Sequence, residues 1–381
     1  MTTVDLGDLG FDEGGHLLVA RALASAAEVR VVGTAPTLAV DLPAWCRAKG
    51  HACAGNVVTR GPHDRRVGAE RAGQIDAPSE RAPKTWGLAA RGALVEAGVP
   101  VLDLALVNKR ELWADDAARL YAQAAAAQWD PQTAIPWDAP VTHPPEVEDA
   151  VVQVMTYLIE NETAALLVPT RFLSKLHPHF REVMQLLAIQ AADEARHIEV
   201  FTRRARLRRN ELGLSTVGGQ ASLATLFDEP DFAIASFLLS VLGEGSFLSL
   251  LAFIRDHAPD ACTRAVARLA GQDEARHVAF GLAHLGQHLE QEPSLREKLA
   301  AAVERRHAAL ANTAGLNAEV FDALVLLAAG SWEPQALRQG HAAVVSLVAD
   351  MDAGRRQRLQ RLGFTSDDAA ALSSLHTRNF M

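Results

Sequence analysis

The sequence feature that most constrains this chain is a pentapeptide, Asp-Glu-Ala-Arg-His, that occurs twice, at 193–197 and 273–277. In an α-helix, side chains three positions apart project from the same face, so each copy presents a glutamate and a histidine to one point. Two such helices that face each other, with one glutamate from each of two further helices, form the cage of a dinuclear metal centre. The repeat therefore predicts a helical bundle, provided that the chain supplies two more glutamates.

The second part of the chain has the helical spacing that such a bundle needs. From about residue 114, segments rich in Ala and Leu run almost to the C-terminus, and prolines separate them. We predict helices at about 115–129, 146–175, 178–212, 231–257, 260–290, 294–313, 317–329 and 334–361. Residues 114–381 are thus predicted to be an all-α unit, with a four-helix core and a C-terminal helical extension.

The first part of the chain has a different pattern. Residues 1–58 are predicted to form a small two-layer α/β domain, and residues 59–113, rich in Gly, Pro, Arg and Asp at their start, a linker or irregular connection. Helices are expected at about 16–27 and 39–49, and strands at 29–32 and 52–58.

Composition excludes several classes of protein. With 49% hydrophobic and 22% charged residues and a net charge of −9, the chain is typical of a soluble protein, and no basic stripe indicates nucleic-acid binding. The three cysteines have no zinc or disulfide spacing, and no signal peptide is evident, which predicts a cytoplasmic location. The apolar stretch 233–254 contains Glu244 between two glycines, so no membrane span is predicted.

Two glutamates upstream of the pentapeptides could complete the cage. Glu244 lies in an almost wholly apolar helix, where an unpaired carboxylate would be costly. Glu160 and Glu162 both precede the first pentapeptide. Aligning the two halves on Glu160 and Glu244 superimposes a Leu-Leu pair and an arginine downstream, so Glu160 is predicted to be the ligand and Glu162 a surface or neighbouring polar residue.

The predicted ligand set is balanced in charge. Four carboxylates and two neutral imidazoles carry four negative charges, which two divalent cations cancel. Mixed carboxylate and imidazole ligation suits two iron ions, with manganese as an alternative, and no thiolate indicates zinc. The predicted metal-binding and catalytic residues are Glu160, Glu194, His197, Glu244, Glu274 and His277.

With these residues, the sequence resembles the ferritin-like di-iron carboxylate oxygenase/oxidase superfamily over about 115–345. The form Asp-Glu-x-Arg-His is similar to that of oxygen-activating members, including monooxygenase hydroxylase subunits and N-oxygenases. The resemblance implies that Asp193 and Asp273 hydrogen-bond the histidine of the opposite helix, and that Arg196 and Arg276 pair with these aspartates.

The chain departs from both subgroups. Ala270 stands where some N-oxygenases have a seventh ligand, a histidine, and Leu248 stands where the hydroxylases have a threonine. The glycines around Glu244 predict either a π-bulge that lets this glutamate move or close helix packing. Tyr157, one turn before Glu160, is either a polar neighbour of the metals or an ordinary buried tyrosine.

Residues 4–54 resemble the small TusA-like sulfur-carrier fold. The resemblance rests on the strand 29–32 and on the segment 34–45, followed by the turn 49–51. The cysteine that carries sulfur in that family is absent, because Phe11-Asp12-Glu13-Gly14-Gly15 occupies its place. A docking or regulatory role is therefore expected for this domain.

The leading hypothesis is a dioxygen-activating di-iron oxidoreductase that hydroxylates or N-oxygenates a small organic substrate. An external reductase or ferredoxin would supply electrons, because the chain has no flavin, nucleotide or iron–sulfur motif; a homodimer is allowed. The alternatives are a ferroxidase or metal-handling protein, and a di-manganese catalase.

Overall fold

The computed structural model describes residues 1–61, 66–310 and 318–376. The chain forms two compact units, which are described separately. The first comprises 1–78 and 83–102, and the second comprises 79–82 and the residues from 103 onward.

A four-stranded sheet with two helices forms the core of the first unit. The strands are β1 (Thr2–Asp5), β2 (Glu28–Val32), β3 (Ala52–Ala54) and β4 (Val57–Thr59), and the helices are α1 (Gly15–Ser25) and α2 (Leu38–Lys49). The strand order is β1-β2-β4-β3, with β1 and β2 parallel and the other pairs antiparallel. The alternation in β2 buries Val29 and Val31 completely against the helices. The predicted strand 52–58 is thus a hairpin.

The remainder of the first unit comes from the segment predicted to be irregular. Within its described residues, Glu70–Arg71 (β5) and Leu94–Val95 (β6) form a short antiparallel pair. Trp86 and Val95 are buried in this region.

The second unit is a helical bundle with additional helices around a four-helix core. Its helices are α3 (Ala117–Ala126), α4 (Pro145–Leu173), α5 (Arg181–Ala205), α6 (Val217–Phe227), α7 (Phe232–Ser236), α8 (Gly245–Asp256), α9 (Ala261–Gln291), α10 (Leu295–Leu310), α11 (Ala318–Ala329), α12 (Pro334–Arg361) and α13 (Ser366–His376). The long helices α4, α5 and α9, with the continuous α7–α8 rod, form the core.

All the predicted helices of this unit are present, and the described residues contain two more, α6 and α13. The predicted ends at 313 and 317 lie among residues 311–317, which are outside the described residues. Helix α6 was missed because Gly218 and Gly219 weaken the helical signal; the Thr216 hydroxyl compensates by accepting a hydrogen bond from the Gly219 N–H at 2.9 Å. Helix α13 was missed as well.

A π-helical segment, Phe237–Glu244, joins α7 to α8 in one rod. Close packing accompanies it, because a Cβ on Gly245 would lie 2.3 Å from Nε of Arg358. Arg358 Nε donates to the backbone oxygen of Val241 at 2.7 Å, inside the π-helical segment. A π-helical segment and close helix packing are therefore both present, and the movement of Glu244 stays a prediction.

This rod is also the one stretch in the described chain, Phe232–Asp256, that is long and apolar enough to cross a membrane. Of its most apolar window, with a mean hydropathy of 1.9, 83% is buried inside the protein. Its apolar character is accounted for by its place in the bundle core.

Candidate metal centre

The core helices bring two overlapping groups of acidic and histidine side chains together. One group is Glu162, Glu194, His197 and Glu274, and the other is Glu194, Glu244, Glu274 and His277. In each group the candidate ligand atoms lie within 4.8 Å of one another, and all six residues are buried. Since Glu194 and Glu274 belong to both groups, the geometry suits two ions that share two bridging carboxylates, with one further glutamate and one histidine each.

The structure corrects one predicted residue. Glu162, not Glu160, faces this cluster from α4: its Oε2 lies 3.5 Å from Nδ1 of His197, and the residue is 2% exposed. Glu160 is half-buried and belongs to neither group. Two positions along a helix turn a side chain by about 200°, so only one of the two glutamates can face the centre.

The imidazoles present their Nδ1 atoms to the carboxylates. His197 Nδ1 lies 3.2 Å from Glu194 Oε2 and 3.3 Å from Glu274 Oε1. His277 Nδ1 lies 3.0 Å from Glu194 Oε1 and 3.4 Å from Glu274 Oε2. Both histidines therefore direct the same nitrogen at the shared carboxylates.

The donor atoms fit a bound metal, because many of them have no other partner. The buried atoms of the cluster that make no hydrogen bond to the described residues are Oε1 of Glu162, Oε1 of Glu194, Oε2 of Glu244, both carboxylate oxygens of Glu274 and Nδ1 of His277. Buried polar atoms are rarely left unpaired, and a convergent set of carboxylate and imidazole lone pairs is what a cation would satisfy.

The electrostatics of the cluster also indicate an excess of negative charge. Burial raises the pKa of Glu162, and the charges of Glu274 and Glu194 raise it further. Burial likewise raises the pKa of Glu244, with Glu274 adding to the effect. Burial lowers the pKa of His277, but the charges of Glu194 and Glu274 outweigh it and hold that pKa well above its ordinary value. The cluster thus draws positive charge to itself, and two divalent cations would supply it.

The hydrogen bonds predicted between the aspartates and the opposite histidines are present. His197 Nε2 lies 3.2 Å from Asp273 Oδ2, and His277 Nε2 lies 3.4 Å from Asp193 Oδ2. An aspartate on Nε2 holds the imidazole in the tautomer whose Nδ1 lone pair is free for a metal.

The arginines of the two pentapeptides hold these aspartates. Arg196 Nη2 donates to Asp273 Oδ2 at 2.8 Å and also binds Asp193. Arg276 Nη2 donates to Asp273 and lies 3.6 Å from Asp193 Oδ2. The two arginines and the two aspartates thus form a closed network on the Nε2 side of the histidines.

Trp129, in the segment that precedes α4, covers this network. Its indole ring stacks on His197 at a centroid distance of 6.5 Å, and its Nε1 donates to Asp273 Oδ2 at 2.8 Å. The Arg196 guanidinium lies 4.6 Å from the centre of the same ring. The neighbouring Gln128 donates to Asp193 at 2.8 Å. Residues 128 and 129 therefore pack against both pentapeptide helices.

Glu244 ends the π-helical segment, and its environment was not foreseen from the sequence. Gln190, on α5, donates from Nε2 to Glu244 Oε1 at 3.2 Å. Gln190 lies two turns before His197 on the same face of α5, and this spacing is the sequence signal that could have placed it near the cluster. Tyr157 is buried, and its ring stacks on Phe247 at a centroid distance of 5.9 Å.

A cavity adjoins the cluster on the side of Glu162, Glu244 and Glu274. Its volume is about 20 Å³, which is room for about one water molecule. Its other walls are mainly apolar, from α4, α6 and the π-helical rod: Asn161, Ala165, Leu223, Leu226, Leu239, Gly243 and Phe247. Apolar walls with a few convergent polar groups have the composition of a small-molecule site, and a substrate larger than water would require these walls to move apart.

Comparison with known proteins was made for sequence and structure. No protein-family model and no curated sequence matches the chain. Among solved structures, a variant of an R2-like ligand-binding oxidase with a reconstituted Mn/Fe cofactor has a TM-score of 0.47 at 16% identity, covering 67% of this chain and 94% of that one.

Two further solved structures are similar to this chain. An R2-like ligand-binding oxidase from Sulfolobus acidocaldarius has a TM-score of 0.39 at 15% identity, covering 62% of this chain and 89% of that one. A Synechococcus protein with aldehyde deformylating oxidase activity has a TM-score of 0.41 at 17% identity, covering 60% and 96%. At such identities, activity has to be argued from this chain's own residues.

Proposed function

We propose that the protein is a dinuclear non-haem metal oxidoreductase that uses dioxygen to oxidise a small, largely apolar organic substrate. The observation that carries the proposal is the contact between the ligand cluster and the cavity: Glu162, Glu244 and Glu274 are at once candidate ligands and cavity walls. A substrate in the cavity would lie directly beside the metals.

Iron is the metal we favour, with manganese as the alternative. The donor set contains four carboxylates, two imidazoles and no thiolate, which suits these ions better than structural zinc. When bound, the two ions would supply the electrons and the binding positions for dioxygen.

The chain's own residues would prepare the site. The shared carboxylates of Glu194 and Glu274 fix the separation of the two positions. The aspartates hold the histidine tautomers, and the apolar cavity walls exclude water from the reacting substrate. Gln190 restrains one oxygen of Glu244 and leaves the other free.

A ferroxidase would use the same ligands but has no need of an apolar cavity, since its substrate is an ion. A di-manganese catalase likewise needs access only for peroxide. The cavity is therefore the feature that favours an organic substrate, and both hydroxylation and N-oxygenation remain within the proposal. We further propose that a separate reductase or ferredoxin returns electrons to the centre.

The test is anaerobic loading with Fe(II), followed by a pulse of oxygen. We expect two irons per chain and a transient visible absorption band whose decay is accelerated by substrate. Labelled dioxygen should place its isotope in an organic product, and repeated turnover should require added reductant. Oxygen uptake with iron as the sole oxidised product would instead establish a ferroxidase, and oxygen release from peroxide would establish a catalase.

A further inference from the structure

Two arginines on one face of α12 pack against the rod that carries Glu244. Arg355 and Arg358 are three positions apart, so their side chains project from the same side of the helix. Arg355 is 1% exposed and Arg358 is half-buried. Neither forms an ion pair with a residue that the structure describes, so two positive charges meet the rod without a counter-charge.

The hydrogen bonds that these arginines make go to neutral oxygen atoms. Arg358 Nε donates to the backbone oxygen of Val241 at 2.7 Å, inside the π-helical segment. Arg355 Nη1 donates to Ser246 Oγ at 3.2 Å, and its Nε donates to Ser373 Oγ at 3.1 Å. The Nη2 atom of each arginine is buried and makes no hydrogen bond to the described chain. Buried donors are rarely left without an acceptor, so both Nη2 atoms call for a partner.

Arg204 shows how this chain satisfies another fully buried arginine. Its Nη1 lies 2.8 Å from Glu148 Oε1, and its Nη2 lies 2.7 Å from Asp260 Oδ2. Two carboxylates therefore neutralise one guanidinium there. Arg355 and Arg358 have no such carboxylate among the described residues, although Arg355 is buried to almost the same extent.

The acidic residue one turn before Arg355 does not neutralise it directly. Asp352 accepts a hydrogen bond from Ser373 Oγ at 2.6 Å and pairs with Arg356 at 2.8 Å. Burial lowers the pKa of Arg355 and of Arg358 to about 10, so both remain cations at neutral pH. A buried charge without a partner is costly, and an anion removes that cost.

Both guanidinium groups reach the same two residues of the rod. A Cβ on Gly245 would lie 2.9 Å from Nη2 of Arg358, so this guanidinium packs directly on Gly245. The next residue, Ser246, is the one that Arg355 binds. The two groups therefore form one region of positive charge at the contact between α12 and the rod.

We propose that Arg355 and Arg358 together bind a small monovalent anion of the size of chloride at this contact. The free Nη2 atoms are enclosed by protein, which favours a small ion, and guanidinium N–H groups are strong donors to anions. A bound anion holds both guanidinium groups against the rod and so restrains the π-helical segment. The proposal goes beyond the proposed function and does not depend on it.

Thermal unfolding of the full-length, metal-free chain tests the binding. Sodium chloride is compared with sodium gluconate at equal ionic strength, since gluconate is too large for an enclosed site. We expect about 100 mM chloride to raise the melting temperature of wild type by about 2–4 °C. Bromide should act like chloride, and phosphate should not. Crystals grown in bromide should show an anomalous-scattering peak beside Nη2 of Arg355 and of Arg358.

Arg355→Met and Arg358→Met should each abolish the chloride effect. Arg356→Met is the matched control, because Arg356 is the exposed arginine between them and pairs with Asp352; it should keep the effect. If a Met variant fails to fold, the Lys variant at the same position decides, since an ammonium group cannot supply the same N–H pair and should reduce the effect.

Hydrogen exchange tests the restraint of the rod. Backbone amides of residues 237–244 should exchange more slowly in chloride than in gluconate, and this difference should disappear in Arg358→Met. Equal melting temperatures of wild type in the two salts, or a chloride effect that survives in both Met variants, would overturn the anion site. A bromide peak without any effect on stability would mean an adventitious ion only, and equal exchange rates would refute the restraint.

Discussion

Substitution of Glu162 by Gln distinguishes the structure from the sequence-based prediction. The change keeps the size of the side chain and removes one of four carboxylates. The remaining three negative charges no longer cancel the four positive charges of two divalent ions, and the deficit lies in the group that contains Glu162. Glu162 belongs to one ligand group only, whereas Glu194 and Glu274 belong to both. We therefore expect the chain to retain one metal ion and lose the other.

The magnitude follows from the burial of the site. Glu162 is 2% exposed, so its carboxylate is as desolvated as a partner in a buried ion pair. Removing one member of such a pair costs about 3–5 kcal/mol. At about 1.4 kcal/mol per decade, the affinity for that ion falls by roughly 100- to 4,000-fold.

In the metal-free protein the same substitution should increase the stability of the fold. Burial and the charges of Glu274 and Glu194 raise the pKa of Glu162, so its ionised form is unfavourable when no metal is present. A group with a raised pKa stabilises the fold at low pH and ceases to do so as the pH rises through the folded value. Near neutral pH, Glu162→Gln should therefore raise the melting temperature of the metal-free chain.

The assay is metal analysis after anaerobic Fe(II) loading and desalting, with thermal unfolding of both forms. Glu160→Gln is the matched control, since Glu160 lies outside both groups and should leave metal content at the wild-type level. Loss of metal in Glu160→Gln with full retention in Glu162→Gln would refute the assignment.

Three other changes test the structure elsewhere. Trp129→Phe removes the indole donor described above, and we expect metal affinity to fall by about 10- to 100-fold in an Fe(II) titration. Gly340→Ala, on α12, places a Cβ 2.3 Å from the backbone oxygen of Val325 on α11, so urea unfolding should show a loss of about 1–3 kcal/mol. Burial raises the pKa of Glu148, but Arg204, at 2.8 Å, outweighs it and lowers that pKa overall. Glu148→Gln should thus cost most stability near neutral pH, and the difference should shrink below about pH 4, as measured by urea unfolding across pH.

The pentapeptides allowed much of the bundle to be predicted, because identical residues at helical spacing leave few alternatives. The error at Glu160 came from aligning the two halves on a Leu-Leu pair and an arginine. Such residues recur throughout apolar helices and carry little information on register. The apolar pattern of α4 does not decide either: Leu158 and Ala165, on the face of Glu162, are buried, but Tyr157 and Ala164, on the face of Glu160, are buried too.

Other parts of the site could not be predicted from local sequence. The contact of Trp129 with Asp273 joins residues distant along the chain, and only the packing of the preceding segment brings them together. The cavity wall that α6 provides could not be predicted either, because Gly218 and Gly219 weaken the helical signal of this segment.

The π-helical segment makes the two halves of the metal site unequal, although their pentapeptides are the same. Glu162 is carried by a regular α-helix, whereas Glu244 stands at the end of a segment with wider, less favourable backbone bonding. The position served by Glu244 should therefore release and take up its ion faster than its counterpart. Although the two halves supply matching ligands, one bound ion would then exchange with solution slowly and the other quickly. Two different elements could therefore bind in a fixed order.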